Sequence, residues 1–140
     1  MRISEIMTRD VQLASPNQTL QQAAKLMAEH DFGAIPVAEN DRLVGMLTDR
    51  DITVRAVAAG KNPQRCRVAE VMSAEVKYVF DDETTHDLAR NMSTLQVRRL
   101  PVLSRDKRLV GIVSLGDLAT SDGADGDAKE AIAGVSEKIA

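Results

Sequence analysis

Gly45-Met46-Leu47-Thr48-Asp49-Arg50-Asp51 and Gly111-Ile112-Val113-Ser114-Leu115-Gly116-Asp117 share one spelling: a glycine, two apolar residues, a hydroxyl residue, two variable residues and an aspartate. The likeness extends outward from both, at an offset of about 65 residues. Ile3-Ser4-Glu5-Ile6-Met7 recurs as Val68-Ala69-Glu70-Val71-Met72, Thr19 to Met27 as Thr84 to Met92, and Ile35-Pro36-Val37 as Leu100-Pro101-Val102. Arg42-Leu43-Val44-Gly45 returns as Arg108-Leu109-Val110-Gly111 after a one-residue insertion. A tandem unit of this kind decides the architecture before local propensity is consulted. Each repeat reads as a short opening helix, a strand, an amphipathic helix, two strands and a closing helix.

The amphipathic helix of the first repeat has Thr19 as N-cap with Gln22 three residues on, and Leu20, Ala23, Ala24 and Met27 form its apolar stripe. Its counterpart starts at Thr84 with Asp87 three on and buries Leu88, Met92 and Leu95. Both stripes need a sheet to cover. Ala34 to Val37 with Leu43 to Leu47, and Arg99 to Leu103 with Leu109 to Val113, are apolar runs joined by polar turns, so each pair is expected to form a hairpin. Pro36 and Pro101 must then sit where the ladder needs no donor. Asp49 to Ala59, stopped by Gly60, makes the first closing helix, and Lys61-Asn62-Pro63 links the repeats. Each half is too small to hold a core alone, and the two are expected to pack about a pseudo-twofold axis with a ligand seam between them.

Composition narrows the function. The 140 residues are 44% hydrophobic and 28% charged, as in a globular chain that buries a genuine core. No apolar run approaches the roughly 20 residues that cross a bilayer, and no signal-peptide pattern opens the chain, so membrane insertion is not expected and a cytoplasmic location is. The one cysteine, Cys66, excludes an internal disulfide framework. A net charge of −3 and three aromatics, Phe32, Tyr78 and Phe80, offer neither phosphate-backbone attraction nor a base-stacking platform, so no nucleic-acid partner is expected. His30 and His86 have no carboxylate or cysteine at metal spacing and are expected at the surface or at helix ends, with no metal. No nucleophile–base pattern and no phosphate-cradling glycine loop is visible, so no catalytic residues are assigned.

The two glycine-to-aspartate segments lie where a strand passes into a helix. Thr48 or Ser114 can cap that helix while Asp51 or Asp117 returns the bond, and a cap alone explains these residue types. A carboxylate on the first helical turn can also accept both protons of a ribose diol, with the hydroxyl and the free amides facing phosphate. The spelling leaves both open.

In combination, Glu5-Ile6-Met7 with Glu70-Val71-Met72, the Pro-Val pairs at Pro36 and Pro101, and the two glycine-to-aspartate segments make residues 3 to 120 resemble a stand-alone tandem pair of CBS (cystathionine-β-synthase) domains. The resemblance implies an α/β (α+β) fold of two repeats of β-α-β-β-α type, with small mixed sheets covered by helices. It places the first repeat with its linker over 1–62, the second over 63–120, and a flexible acidic segment with a C-terminal helix over 121–140. That last helix carries a weak apolar pattern, Ile132, Val135 and Ile139, read as a docking or frayed terminal helix, with a partner-binding tail as the alternative.

The family implies a regulatory module, not an enzyme, that binds an adenosyl ligand: AMP, ADP or ATP first, with NAD and S-adenosylmethionine also in its range. It implies a homodimer that acts in trans on a separate effector protein, with no required cofactor. Carried onto this chain, the pattern assigns Asp51 and Asp117 to ribose, and Thr48 and Ser114 to ribose or phosphate. Backbone around Val11 and Val76 would meet adenine. Gly33 and Ala34, and Arg98 and Arg99, would line the cavities before each Pro-Val. Arg99 faces away from the side taken by Leu100 and Val102, and its guanidinium fork suits phosphate, whereas Ala34 cannot neutralise one. The Asp117, Ser114 and Arg99 cleft is therefore expected to be the better phosphate site. The Asp51 cleft would depend on Arg50, itself expected to pair locally with Asp49 and Asp51, or stay empty. The competing expectation is a constitutive interaction module without a ligand.

Overall fold

The computed structural model describes residues 1–121 and 125–137. The chain divides into two compact units, Gln12–Val76 and a second made of Met1–Val11 with Lys77–Ala140. The unit boundaries are displaced from the ends of the sequence repeats, because each opening segment packs into the core of the other repeat. Ile3 and Met7 are buried with Leu88, Met92, Val102, Val113 and Leu118. Val68 and Val71 are buried with Leu20, Ala23, Ile35, Val37 and Leu47. Burying an aliphatic side chain of this size contributes roughly 1.5–3 kcal/mol, so the short opening helices are held by tertiary burial and not by their own length.

In the unit Gln12–Val76, helix α1 (Leu20–His30) opens on Thr19, whose hydroxyl accepts from Gln22 N while the Gln22 side chain accepts from Thr19 N. Strands β1 (Ala34–Glu39) and β2 (Arg42–Thr48) pair antiparallel through the two-residue turn Asn40-Asp41. Both turn residues have positive φ, 53° and 63°. That is the condition for the tight turn whose twist matches its strands, and Asn and Asp tolerate it. Helix α2 (Asp49–Asp51) continues as a π-helix (Ile52–Val57), and Gly60 at φ 76° ends the segment as expected. Helix α3 (Val68–Val71) closes this core.

The other unit repeats the plan. Strand β3 (Val79–Phe80) pairs parallel with β4 (Arg99–Leu103), which pairs antiparallel with β5 (Leu109–Ser114), and helices α4 (Thr85–Leu95) and α5 (Leu115–Thr120) complete the repeat. Of the two expected opening strands only β3 forms. In the first repeat it is reduced to a single bridge, Ala14 to Val37. The cause is one proline: Asp81 N donates to Leu103 O, but the equivalent residue is Pro16, which has no N–H to give. Pro36 and Pro101 sit as required. Their partners Met46 and Ile112 turn their backbone groups away, to Ser73 and Thr8, so neither proline faces an acceptor in the hairpin.

Helix α6 (Asp125–Glu137) packs on α4 and α5. The expected apolar stripe is corrected in register: Ala128, Ala131 and Val135 are buried and Ile132 is 45% exposed, because small residues allow a close crossing that a leading isoleucine would block. Asp125 and Gly126 belong to this helix and not to an acidic linker, whose remaining residues 122–124 lie outside the described residues, as does Ile139. Among the described residues no helix is long and apolar enough to cross a membrane.

Candidate functional site

Strand β5 ends at Ser114 and α5 begins at Leu115, so the last strand residue becomes the helix cap. Asp117 N donates to Ser114 Oγ at 3.1 Å and Ser114 N donates to Asp117 Oδ2 at 2.8 Å. One strand away, Leu115 N donates to Arg98 O at 2.7 Å, tying the start of β4 to the start of α5. Arg99 alternates with the buried Leu100, and both Arg98 and Arg99 are exposed. The result is a cavity of about 490 Å³ lined by Arg98, Arg99, Ser114, Leu115, Gly116, Ala119 and Ile132. That volume lies in the range that holds small-molecule ligands. Two guanidiniums and a hydroxyl stand beside an apolar wall. The arrangement can neutralise an anion while covering a flat apolar group.

The structure therefore gathers Arg98, Arg99 and Ser114 around one cavity. Asp117 is half-buried next to Ser114 and engaged in the cap, and it does not line that cavity. Four further lining residues, Leu115, Gly116, Ala119 and Ile132, were not assigned to a ligand site from the sequence. Ile132 had no local signal as a wall, since only the return of α6 brings it there.

The equivalent place in the first repeat differs in charge. Thr48 and Asp51 form the same reciprocal pair, Thr48 N to Asp51 Oδ2 and Asp51 N to Thr48 Oγ1, each 3.0 Å. Asp49 N donates to Gly33 O at 2.9 Å, as Leu115 N does to Arg98 O. Here, however, the Asp49 carboxylate fills the space beside Gly33, where an added Cβ would lie 2.9 Å from Asp49 Oδ2. An acid thus stands where the second repeat has Leu115, and Ala34 replaces Arg99. The cation on Asp51 is also corrected: Arg55 Nε approaches Asp51 Oδ1 at 3.8 Å, one helical turn away, in place of the expected Arg50. Arg55 also donates to Val71 O at 3.3 Å, which fixes its direction. Arg50, which follows Asp49 directly, donates its backbone N–H to Asp49 Oδ1.

Val11 and Val76 are half-buried and lie outside the strands, each in the unit that holds the other repeat's helices and strands. His30 ends α1, and His86 is exposed on the first turn of α4. Cys66 is buried, and that burial pushes its thiol up from its ordinary value.

Comparison with known proteins agrees with the doubled plan. The CBS domain model matches residues 3–57 and again residues 68–122. The CBS domain-containing protein YhcV of Bacillus subtilis is 43% identical over 136 residues, covering 97% of this chain and 96% of its own. The crystal structure of Hypoxic Response Protein I with two coordinated zinc ions superposes with a TM-score of 0.77 at 40% identity, over 85% of this chain and 97% of that one. The CBS domain pair of protein MJ0100 in complex with 5-methylthioadenosine and S-adenosyl-L-methionine does so with a TM-score of 0.73 at 28% identity, again over 85% and 97%. With both repeats matched and YhcV covered nearly end to end, the chain belongs to the CBS domain family.

Proposed function

We propose that this chain is a regulatory module that binds a phosphorylated adenosyl ligand of the AMP, ADP or ATP type in the Arg98, Arg99 and Ser114 cavity. The observation that carries the reading is the meeting of two guanidiniums and a hydroxyl at one apolar-walled cavity, against an acid at the equivalent place of the first repeat. Arg99 takes the phosphate as a planar fork beside the Ser114 hydroxyl, and Asp117, which lies outside the cavity lining, holds Ser114 in place through the reciprocal cap. MJ0100 binds adenosyl compounds. In this chain the two arginines disfavour the sulfonium of S-adenosylmethionine and favour phosphates, NAD included. The first-repeat position, with Asp49 and an engaged Asp51, stays empty.

The module is not an enzyme; it works in the cytoplasm as a homodimer, and a separate effector protein reads the ligand state. Its control of that effector is limited to the ligand's preference for one arrangement over another. A constitutive interaction module is the competing reading, and it draws on the fact that both aspartates already serve as caps. Thermal unfolding with AMP, ADP, ATP, NAD and S-adenosylmethionine separates the two. A ligand at about 100 times its Kd stabilises by roughly 2.7 kcal/mol, and Arg99→Ala should weaken the phosphorylated ligands by about tenfold or more. No shift with any of the five, or unchanged affinity in Arg99→Ala, overturns the assignment.

A further inference from the structure

We propose that His86, Asp127 and Glu130 bind one zinc ion that fastens helix α6 to α4. His86 lies on the first turn of α4, and Asp127 and Glu130, three residues apart, share a face of α6. One donor atom from each lies within 4.8 Å of the other two. His86 Nδ1 and Asp127 Oδ1 are 3.3 Å apart, which is about the separation of two donors on a tetrahedral zinc with bonds of roughly 2.0–2.1 Å. Glu130 is exposed, so its side chain closes the remaining distance by rotation.

Asp127 is positioned for this. Its Oδ2 accepts from Thr85 Oγ1 at 3.0 Å, and Thr85 is 3% exposed, so the neighbouring residue of α4 holds the carboxylate from behind. Such support behind a ligand orients it and raises its affinity for metal. A neutral imidazole and two carboxylates sum to two negative charges, matched by a divalent cation. Imidazole with so few oxygens suits zinc, whereas magnesium and calcium require six or more oxygen donors. The fourth position belongs to water. The function follows from what α6 otherwise has: among its described residues the buried ones are Ala128, Ala131, Gly134 and Val135, all small or of medium size. Ligands contributed from both helices convert metal binding into docking energy.

The test uses the full chain stripped with EDTA and titrated with zinc chloride in a calorimeter, with hydrogen exchange followed over 125–137. One zinc per chain is expected, with slower exchange in α6. His86→Gln and Asp127→Asn, both at non-core positions, should each lower zinc affinity at least tenfold and abolish the added protection, while Cys66→Ser changes neither. Zinc uptake that is absent, or unchanged in both His86→Gln and Asp127→Asn, overturns the site and leaves His86 and Asp127 a simple hydrogen-bonded pair. Uptake without added protection of α6 overturns the fastening role.

Discussion

Replacing Gly134 by alanine should loosen α6 while leaving the rest of its unit folded. Gly134 is buried where α6 crosses α4, and a Cβ built on it would lie 2.6 Å from the Cα of Ser93, against the 3.4 Å at which ordinary contact begins. Ser93 Cβ is nearer still, and since no rotamer change moves Cα or Cβ the two helices must part by about an ångström. Overpacking of this kind costs about 1–3 kcal/mol. Alanine returns up to about 1 kcal/mol as the better helix former, which leaves a net loss of up to about 2 kcal/mol. Parting the helices also exposes Ala128, Ala131 and Val135 to solvent. Gly126→Ala is the control: it lies in the same helix with nothing within 4 Å of its added Cβ, so it should gain up to about 1 kcal/mol from propensity alone. Urea unfolding gives the two stabilities, and hydrogen exchange over 125–137 shows whether the loss is local. Gly134→Ala as stable as the parent, with α6 equally protected, would refute the close crossing.

Gly111→Ala should cost about 1–3 kcal/mol in the same assay, because its Cβ would lie 2.7 Å from Met7 Sδ and 2.9 Å from the backbone oxygen of Thr8, which is bonded to Ile112; no loss would mean that the opening segment is not seated on β5. Asp87 is held below its ordinary value of 3.8, first by the Thr84 backbone N–H and then by the Thr84 hydroxyl. A carboxyl depressed in the folded state contributes stability that is complete above its unfolded value and drains away as pH falls through the lowered one. Urea unfolding followed downward through pH 3.8 should therefore show a shallower acid loss in Asp87→Asn, and an unchanged slope would sink that assignment.

Much of the architecture was legible because the chain states it twice. The helix caps Thr19, Thr48, Thr84 and Ser114 each have their partner three residues on, a relation settled within one turn of backbone, and all four form. The hairpins follow from apolar runs broken by turn residues, and the Asn40-Asp41 turn was readable for the same local reason. The 65-residue offset also sets Pro16 opposite Asp81, so the missing donor was legible in the spelling too.

What depends on distant segments was beyond one-dimensional reading. Which core receives each opening segment is decided by burial of Ile3 and Met7, or Val68 and Val71, in the opposite repeat. The charge contrast between Asp49 at Gly33 and Arg98 with Arg99 at Ser114 arises only when β1 meets α2 and β4 meets α5 in space. The nearness of His86 to Asp127 had no signal in the sequence because the two stand 41 residues apart, on α4 and α6. Periodicity and capping act over three or four residues and are printed in the chain. Charge and coordination act over a few ångströms, and only the folded path determines which residues those ångströms join.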